Sequence, residues 1–457
     1  MLTYQINLNN QKMKKKLILA FGLLFSTALF AQETLQRFSL VEAIDYALEH
    51  NRTAKNASRD IEAAKKQKWE TIATGLPQID GSIAYQDFIK QQVQVVPSDF
   101  GDPNSNLIPV IFGARKNINA SATLSQLIFD GSYIVGLQSA KVFLEISENA
   151  KIKTDLEVRK AVINAYGNVI LAKESVDILQ KNRNTLQENL DELTKIFQNG
   201  LEEEESVEQL KITLSSVESS LNNAERLEDV AYKMLNLTLG LDIDTKITLT
   251  DDLKTLTLKN LDLGYINTDY SIENTIDYQI AENDKRSKEL LVKLEQSRAL
   301  PTLSSFLTGG YTSFSNTFNF LNSDKEYFGY AVLGINLQIP ILGSGLKTAR
   351  TQRAKINLEK SKDDLTETGQ RLKLEIAAAK SDYQYAVEDY SNKEENLNLA
   401  ERIERKNQIK FFEGIASSFE LRQAQTQLYT AQQEYLKAML DVITKKAELE
   451  TILNTIN

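Results

Sequence analysis

Apolar positions in this chain follow two periods, and both periods occur twice in the same order. The first is alternation. Ile79, Gly81, Ile83 and Tyr85 point one way, and Gln78, Asp80, Ser82 and Ala84 the other. A polar, Pro-containing loop over residues 88–116 follows, and alternation resumes with Ile118, Ala120, Ala122 and Leu124 against Asn119, Ser121, Thr123 and Ser125. Later, Leu303, Ser305, Leu307 and Gly309 open a second hairpin with a shorter loop through Asn316 and Asn322. Its returning strand places Tyr327, Gly329, Ala331, Leu333, Ile335, Leu337 and Ile339 on one face. The second period is a 3-4-3-4 seam: Val207, Leu210, Leu214, Val217, Leu221 and Ala224 in one copy, and Leu421, Ala424, Leu428, Ala431, Tyr435, Ala438 and Val442 in the other. Such a seam predicts coiled-coil packing.

The landmarks between these patterns are duplicated too. Leu76-Pro77 is matched by Leu300-Pro301. Ile128-Phe129-Asp130-Gly131-Ser132 is matched by Ile341-Leu342-Gly343-Ser344-Gly345. The tip Phe197-Gln198-Asn199-Gly200 is matched by Phe411-Phe412-Glu413-Gly414. A repeated strand–helix–helix unit is the architecture this implies. Residues 133–199 contain no Pro and carry Val162, Tyr166, Val169, Val176, Leu179, Leu186, Leu190, Leu193 and Phe197 at seam positions. A helix of that length reaches about 100 Å, and the return arm 206–239 about half of it, too long for one compact globule. Residues 39–75 read as one helix, capped by Ser39 with Glu42 and stopped by Gly75 and Pro77. Residues 240–271 break the pattern, with a short strand at Ile247 and Leu249. The expected division is a signal peptide at 1–31 and a first repeat at 32–239, with hairpin 78–129 and helical hairpin 133–239. A linker or equatorial belt follows at 240–271. The second repeat is 272–457, with hairpin 302–341 and helical hairpin 345–457.

Each alternating segment has the length of a tilted strand crossing a bilayer, about 10 residues. Tyr311, Phe314, Phe328 and Tyr330 gather near the strand ends, as an interfacial girdle would require. Alternation alone fits a soluble hairpin with one wet face equally well. The amino terminus tips the balance. Lys12, Lys14, Lys15 and Lys16 precede an apolar run from Leu17 to Phe30, too short to span a bilayer, and small residues at Ala28 and Ala31 allow cleavage before Gln32. This is an export signal, with the start open between Met1 and Met13. No later segment is a helical anchor.

Composition narrows the chemistry. Among 457 residues there are no Cys, one His and six Pro, and the net charge is −9. Thiol chemistry and Cys-based zinc sites are excluded, and an acidic chain is no partner for nucleic acid. His50 has no second ligand beside it. Asp251-Asp252 and Asp363-Asp364 read as turn or helix-face charge, and no nucleophile–base pairing is visible, so neither an enzyme nor a cofactor is expected.

Two hairpins give four strands. Lipid-facing backbone must be hydrogen-bonded, so an open four-stranded sheet cannot span a membrane. An eight-stranded barrel is filled by its own side chains, so a water-filled duct needs three chains or more. The expected fold is therefore mainly α with a membrane β-barrel. Long coiled-coil helices run below it, and each chain brings four strands to the barrel, twelve in all if three chains close it.

This constellation resembles the TolC family of bacterial outer-membrane efflux ducts. The resemblance rests on Phe38-Ser39-Leu40-Val41-Glu42-Ala43-Ile44, Gly75-Leu76-Pro77, Ile128-Phe129-Asp130-Gly131 with Ile339-Pro340-Ile341, and the two Gly-centred tips. It implies a homotrimer in outer-membrane lipid: a trimeric, twelve-stranded β-barrel, with the long coiled-coil helices forming an α-barrel that crosses the periplasm. Its tips, at Gly200, Leu201, Gly414 and Ile415, would dock with a periplasmic adaptor protein and an inner-membrane pump. Glu420 matches the family's acidic aperture position; a second such position falls on Gln423, a departure from the family pattern. The first tip carries Glu202, Glu203, Glu204 and Glu205, which would be aperture charge or simply charge favoured at a helix start. The implied function is the passive exit duct of a tripartite efflux system. A duct for a type I protein secretion system and an exported, non-pore coiled-coil scaffold remain as alternatives.

Overall fold

A computed structural model describes residues 36–99, 104–262, 264 and 270–455. The segment read as a signal peptide, and its cleavage point, lie outside the described residues. In chain order the elements are β1 (Gln36–Phe38), α1 (Leu40–His50), α2 (Arg52–Ala73), β2 (Gln78–Asp87), β3 (Val93–Pro97), β4 (Leu107–Ile111), β5 (Lys116–Asp130), α3 (Gly131–Gln198) and α4 (Glu204–Leu239). They continue with β6 (Ile247–Leu249), α5 (Leu253–Lys259), α6 (Ile276–Ser297), β7 (Thr302–Ser315), β8 (Phe328–Gln338), α7 (Leu346–Phe412) and α8 (Ser418–Leu453).

The duplication is metrical. Helices α2 and α6 both have 22 residues, α4 and α8 both have 36, and α3 and α7 have 68 and 67. No Pro interrupts α3 or α7, so each hydrogen-bond ladder runs unbroken. The four long strands form one antiparallel sheet in the order β2-β5-β7-β8. Near the sheet, α3 packs on α2 and α6, and α6 on α7. Toward the tips, α3 packs on α4 and α8, and α8 on α7. Each layer therefore runs four elements wide with alternating direction, and each has two open edges.

Two clusters hold the helices together. One lies midway and joins Ala43, Ala47, Tyr166, Val169, Leu235, Leu239, Tyr383, Val442 and Leu449. The other fills the tip half with Leu186, Leu193, Leu210, Leu214, Leu221, Phe411 and Leu421. All six first-copy seam residues are buried. The midway cluster is belted by β1, which pairs in parallel with β6. The Asp251 carboxylate accepts hydrogen bonds from the Leu40 backbone (2.7 Å) and the Tyr166 hydroxyl (3.0 Å), and Asp252 caps α5 through Thr255 N–H (2.8 Å). Both aspartates therefore serve the fold. Asp363 and Asp364 are exposed on α7. The His50 ring stacks on Tyr46 at 4.0 Å, and its Nδ1 lies 3.0 Å from the Tyr46 carbonyl.

Four readings of the sequence need correction. The helix over 39–75 is two helices. Asn51 leaves the helical backbone, its Oδ1 caps α2 through Thr53 N–H (2.8 Å), and its Nδ2 donates to Thr238 O (2.7 Å). The loop over 88–116 holds a two-stranded ribbon, β3 with β4. The second strand ending is not a strand: β8 stops at Gln338, before Pro340, which has no N–H to donate. The fourth concerns the aromatic girdle, which depends on how the faces of the sheet divide.

Candidate functional site

Register divides the sheet cleanly. Ile79, Leu124, Leu307 and Leu333 lie side by side across the four strands, followed by Gly81, Ala122, Gly309 and Ala331, then Ile83, Ala120, Tyr311 and Gly329. Over these three rows the face is apolar and its edge strands are exposed, with Ile79 75%, Ile83 78% and Leu333 75% accessible; beyond them it turns polar, at Gln126 and Ser305 on one side and at Ser313, Asp87 and Lys116 on the other. The opposite face carries Asp80, Thr123, Thr308 and Val332 in one row and Ser82, Ser121, Gly310 and Tyr330 in the next. Hydroxyls pair across strands there, Ser82 with Ser121 at 3.0 Å and Thr123 with Thr308 at 2.9 Å. One side suits hydrocarbon and the other water.

The girdle reading fails on parity. Phe314, Phe328 and Tyr330 sit on the polar face; only Tyr311 sits on the apolar one. Two rings on the polar face cover glycines opposite them. Tyr330 lies across Gly310 and donates to Asn119 Oδ1 (3.0 Å), and Phe306 lies across Gly334. A side chain at Gly334 would collide with the Phe306 ring, and one at Gly310 with the Ala120 carbonyl oxygen and the Tyr330 hydroxyl.

At the far end of the helices, the tips form by the same mechanism twice. Gly200 and Gly414 adopt left-handed backbone (φ 73° and 75°), and the following N–H groups of Leu201 and Ile415 reach back to Ile196 O (3.2 Å) and Lys410 O (2.8 Å). These are glycine-terminated helix ends. Leu201 and Ile415 are left exposed.

The acidic residues differ. Glu420 closes a capping box at the start of α8. Its Oε2 accepts Ser417 N–H (2.8 Å) and Ser417 Oγ–H (3.1 Å), while Glu420 N–H donates to Ser417 Oγ (3.3 Å). The Ser417 backbone first, then its hydroxyl and Lys410, hold this carboxyl below the usual range. On the first tip, Glu203 is the N-cap of α4 without a side-chain hydrogen bond, and Glu204 and Glu205 occupy the first turn. Glu205 accepts from Gln209 Nε2 (2.8 Å), and Ser418 Oγ donates to Gln209 Oε1 (3.4 Å), so the two helix starts lie side by side. Glu202 precedes them in the turn. Gln423 lines an open groove between α7 and α8 with Leu399, Ile403, Phe419 and Arg422. Arg422 stacks on Phe419 at 5.4 Å.

Glu404, about two turns before the end of α7, escaped sequence reading. It is half-buried, and burial pushes its carboxyl up while Arg405 opposes. A single charge inside a long charged helix carries no pattern that would mark it. Among the described residues no group of His, Cys, Asp and Glu could hold a metal ion, and no helix is long and apolar enough to cross a membrane.

The family model of the outer membrane efflux proteins matches residues 271–455, the second copy. Among solved structures the chain is similar to the outer membrane protein VceC of Vibrio cholerae, at 16% identity and TM-score 0.69 over 91% of this chain and 96% of that one. It is similar to the CmeC outer membrane channel of Campylobacter jejuni, at 18% and 0.70 over 91% and 85%. It is also similar to the open MtrE outer membrane channel of Neisseria gonorrhoeae, at 17% and 0.66 over 91% and 89%. No curated protein matches it in sequence. At these identities the structural likeness is one of fold.

Proposed function

We propose that this chain, whose second copy carries the outer membrane efflux protein pattern and whose fold is that of solved outer-membrane channels, is one third of a passive duct. Three copies would close head to tail. The barrel would sit in the outer membrane and the helical part in the periplasm, conducting cargo delivered by an inner-membrane pump through a periplasmic adaptor. No catalysis is assigned to it.

The observation that carries this reading is the pair of free sheet edges. Among the described residues β2 and β8 each have one edge without a partner, and they run in opposite directions. Joining β8 of one copy to β2 of the next therefore continues the antiparallel order, and only a closed ring leaves no edge in lipid. The helical layer repeats the logic. Its open edges are α7 on one side and α2 or α4 on the other. They expose Leu374 and Tyr385 on α7, against Trp69 on α2 and Leu227, Val230, Met234 and Leu237 on α4. A scaffold without a pore gives no reason for an apolar outer face on the sheet. The glycine-ended tips with exposed Leu201 and Ile415 supply the docking end.

Reconstitution of the full chain in planar bilayers tests the reading. Discrete conductance steps from outer-membrane material are expected. Recovery in the soluble fraction, with no conductance after reconstitution, would overturn it.

A further inference from the structure

The first hairpin does not end where the barrel does. Asp87 faces Lys116, the Phe88 N–H donates to Arg115 O (2.9 Å), and pairing resumes with Val93 facing Ile111. Five residues, 88–92, then stand against four, 112–115, so one extra residue on the β2 side bulges the ribbon. Beyond the bulge the ribbon continues through β3 and β4 as far as Ser98 N–H on Asn106 O (2.8 Å). The second hairpin has no such extension. Its loop stays at the rim, where Phe318 and Phe320 pack edge-on against Tyr85.

This arm has an unusual face. Val93, Val95 and Pro97 alternate along β3 and face Ile111, Pro109 and Leu107 on β4. All six are apolar and all six are exposed, with Val95 60% and Leu107 67% accessible. An isolated two-stranded ribbon is marginal in water, and one with a bare apolar face needs a cover. Hydrocarbon is a poor candidate. Asp87, Arg115 and Lys116 form an ion cluster at the base of the arm, and such a cluster belongs at or beyond the headgroup level. The arm therefore projects on the aqueous side.

On the trimeric reading above, we propose that the arms of the three copies lean over the outer mouth and bury this face against one another, forming a collar above the pore. Geometry allows it. The ten residues 88–97 reach roughly 30 Å beyond the rim at about 3.3 Å each. Twelve strands spaced about 4.8 Å and tilted about 40° give a barrel radius of about 12 Å. Each arm is longer than the distance to the axis, and the ring brings three identical apolar faces to one place.

The chain has no Cys, so single-cysteine variants of the full chain report cleanly. Val95→Cys and Leu107→Cys lie on the apolar face, and Gln94→Cys on the other. With a membrane-impermeant maleimide, Val95→Cys and Leu107→Cys should label at least ten-fold more slowly than Gln94→Cys. A short bis-maleimide should link copies through Val95→Cys but not through Gln94→Cys. Val95→Asp with Leu107→Asp should part the arms and at least double the conductance. A mass of three copies in detergent with equal labelling and no cross-link would overturn the collar and leave the duct intact. Labelling of Val95→Cys only by a lipid-soluble maleimide, without cross-link, would overturn it in favour of an arm lying on the bilayer. A mass other than three strikes the trimeric reading itself.

Discussion

Replacing Gly240 by Ala should damage this protein more than replacing either tip glycine, although all three share a left-handed backbone. Gly240 ends α4 at φ 85°, with its N–H on Leu237 O (3.1 Å). A Cβ there would stand 2.5 Å from the His50 carbonyl oxygen, 2.9 Å from its carbon and 3.2 Å from Asn51 Cα. These are backbone atoms at the break between α1 and α2, and no side-chain rotation relieves them. Left-handed backbone costs an Ala roughly 1–2 kcal/mol. Displacing Asn51 also loosens the cap it gives α2, worth about 1 kcal/mol, and its bond to Thr238 O, worth about 1 kcal/mol. Together these come to about 3–4 kcal/mol. At Gly200 and Gly414 nothing lies within 4 Å of the added Cβ, so only the backbone cost of about 1–2 kcal/mol remains. Loss of helical circular dichroism on heating, at one scan rate in one detergent, ranks the three variants. The midpoint for Gly240→Ala should fall about twice as far as for Gly200→Ala or Gly414→Ala. Equal shifts would refute the claim that α4 is seated against the α1–α2 break.

Glu420→Gln should keep the capping box, since Gln serves at that position, yet remove one charge per copy, three in all on the proposed trimeric reading, from the tips. The expected result is a weaker cation preference, read as a smaller reversal potential under a salt gradient. Neutralising Glu202–Glu205 should change it less, and unchanged potentials with all five neutralised would refute an acidic aperture. The pH response of the two capping boxes has a definite sign. Glu42 and Glu420 are both held below the ordinary carboxyl range, chiefly by the N–H and hydroxyl of Ser39 and of Ser417. Their contribution is present above the ordinary Glu value and is lost as pH falls through the lowered one. Amide exchange at the first turns of α1 and α8 should therefore accelerate relative to mid-helix amides on acidification. A constant ratio would contradict this.

What the sequence made legible was whatever repeats locally. The heptads at 207–224 and 421–442 announce burial at every third or fourth residue; all six positions of the first are buried in the tip cluster, while in the second Leu421, Ala438 and Val442 are buried in the clusters and Leu428 and Tyr435 are half-buried. Alternation in β2, β5, β7 and β8 assigns side chains to faces without knowing which strand pairs with which. Contacts made at a distance were hidden. Three residues of β1 pair with β6 some two hundred positions later, and nothing local marks a three-residue parallel strand. The break at Asn51 needs neither Pro nor Gly, because the side chain bonds across to Thr238. The arm was hidden by Pro97 and Pro109, which normally argue against strands. The aromatics were placed by nearness to strand ends. Parity, which the register supplies, puts three of the four on the polar face.

Closure between β8 and β2 of neighbouring copies can be tested directly by disulfides. A cysteine at Ser82 in β2 is combined, one variant at a time, with a cysteine at each position from Gly329 to Asn336 in β8. Within one chain these edges are separated by two strands, about 14 Å at about 4.8 Å per step. That is far beyond the roughly 7 Å limit for bridging Cα atoms. Oxidation in the membrane should therefore give a covalent ladder of two and then three copies, at one or two adjacent β8 positions. Monomer at every position, or a ladder that runs past three, would contradict a trimeric barrel.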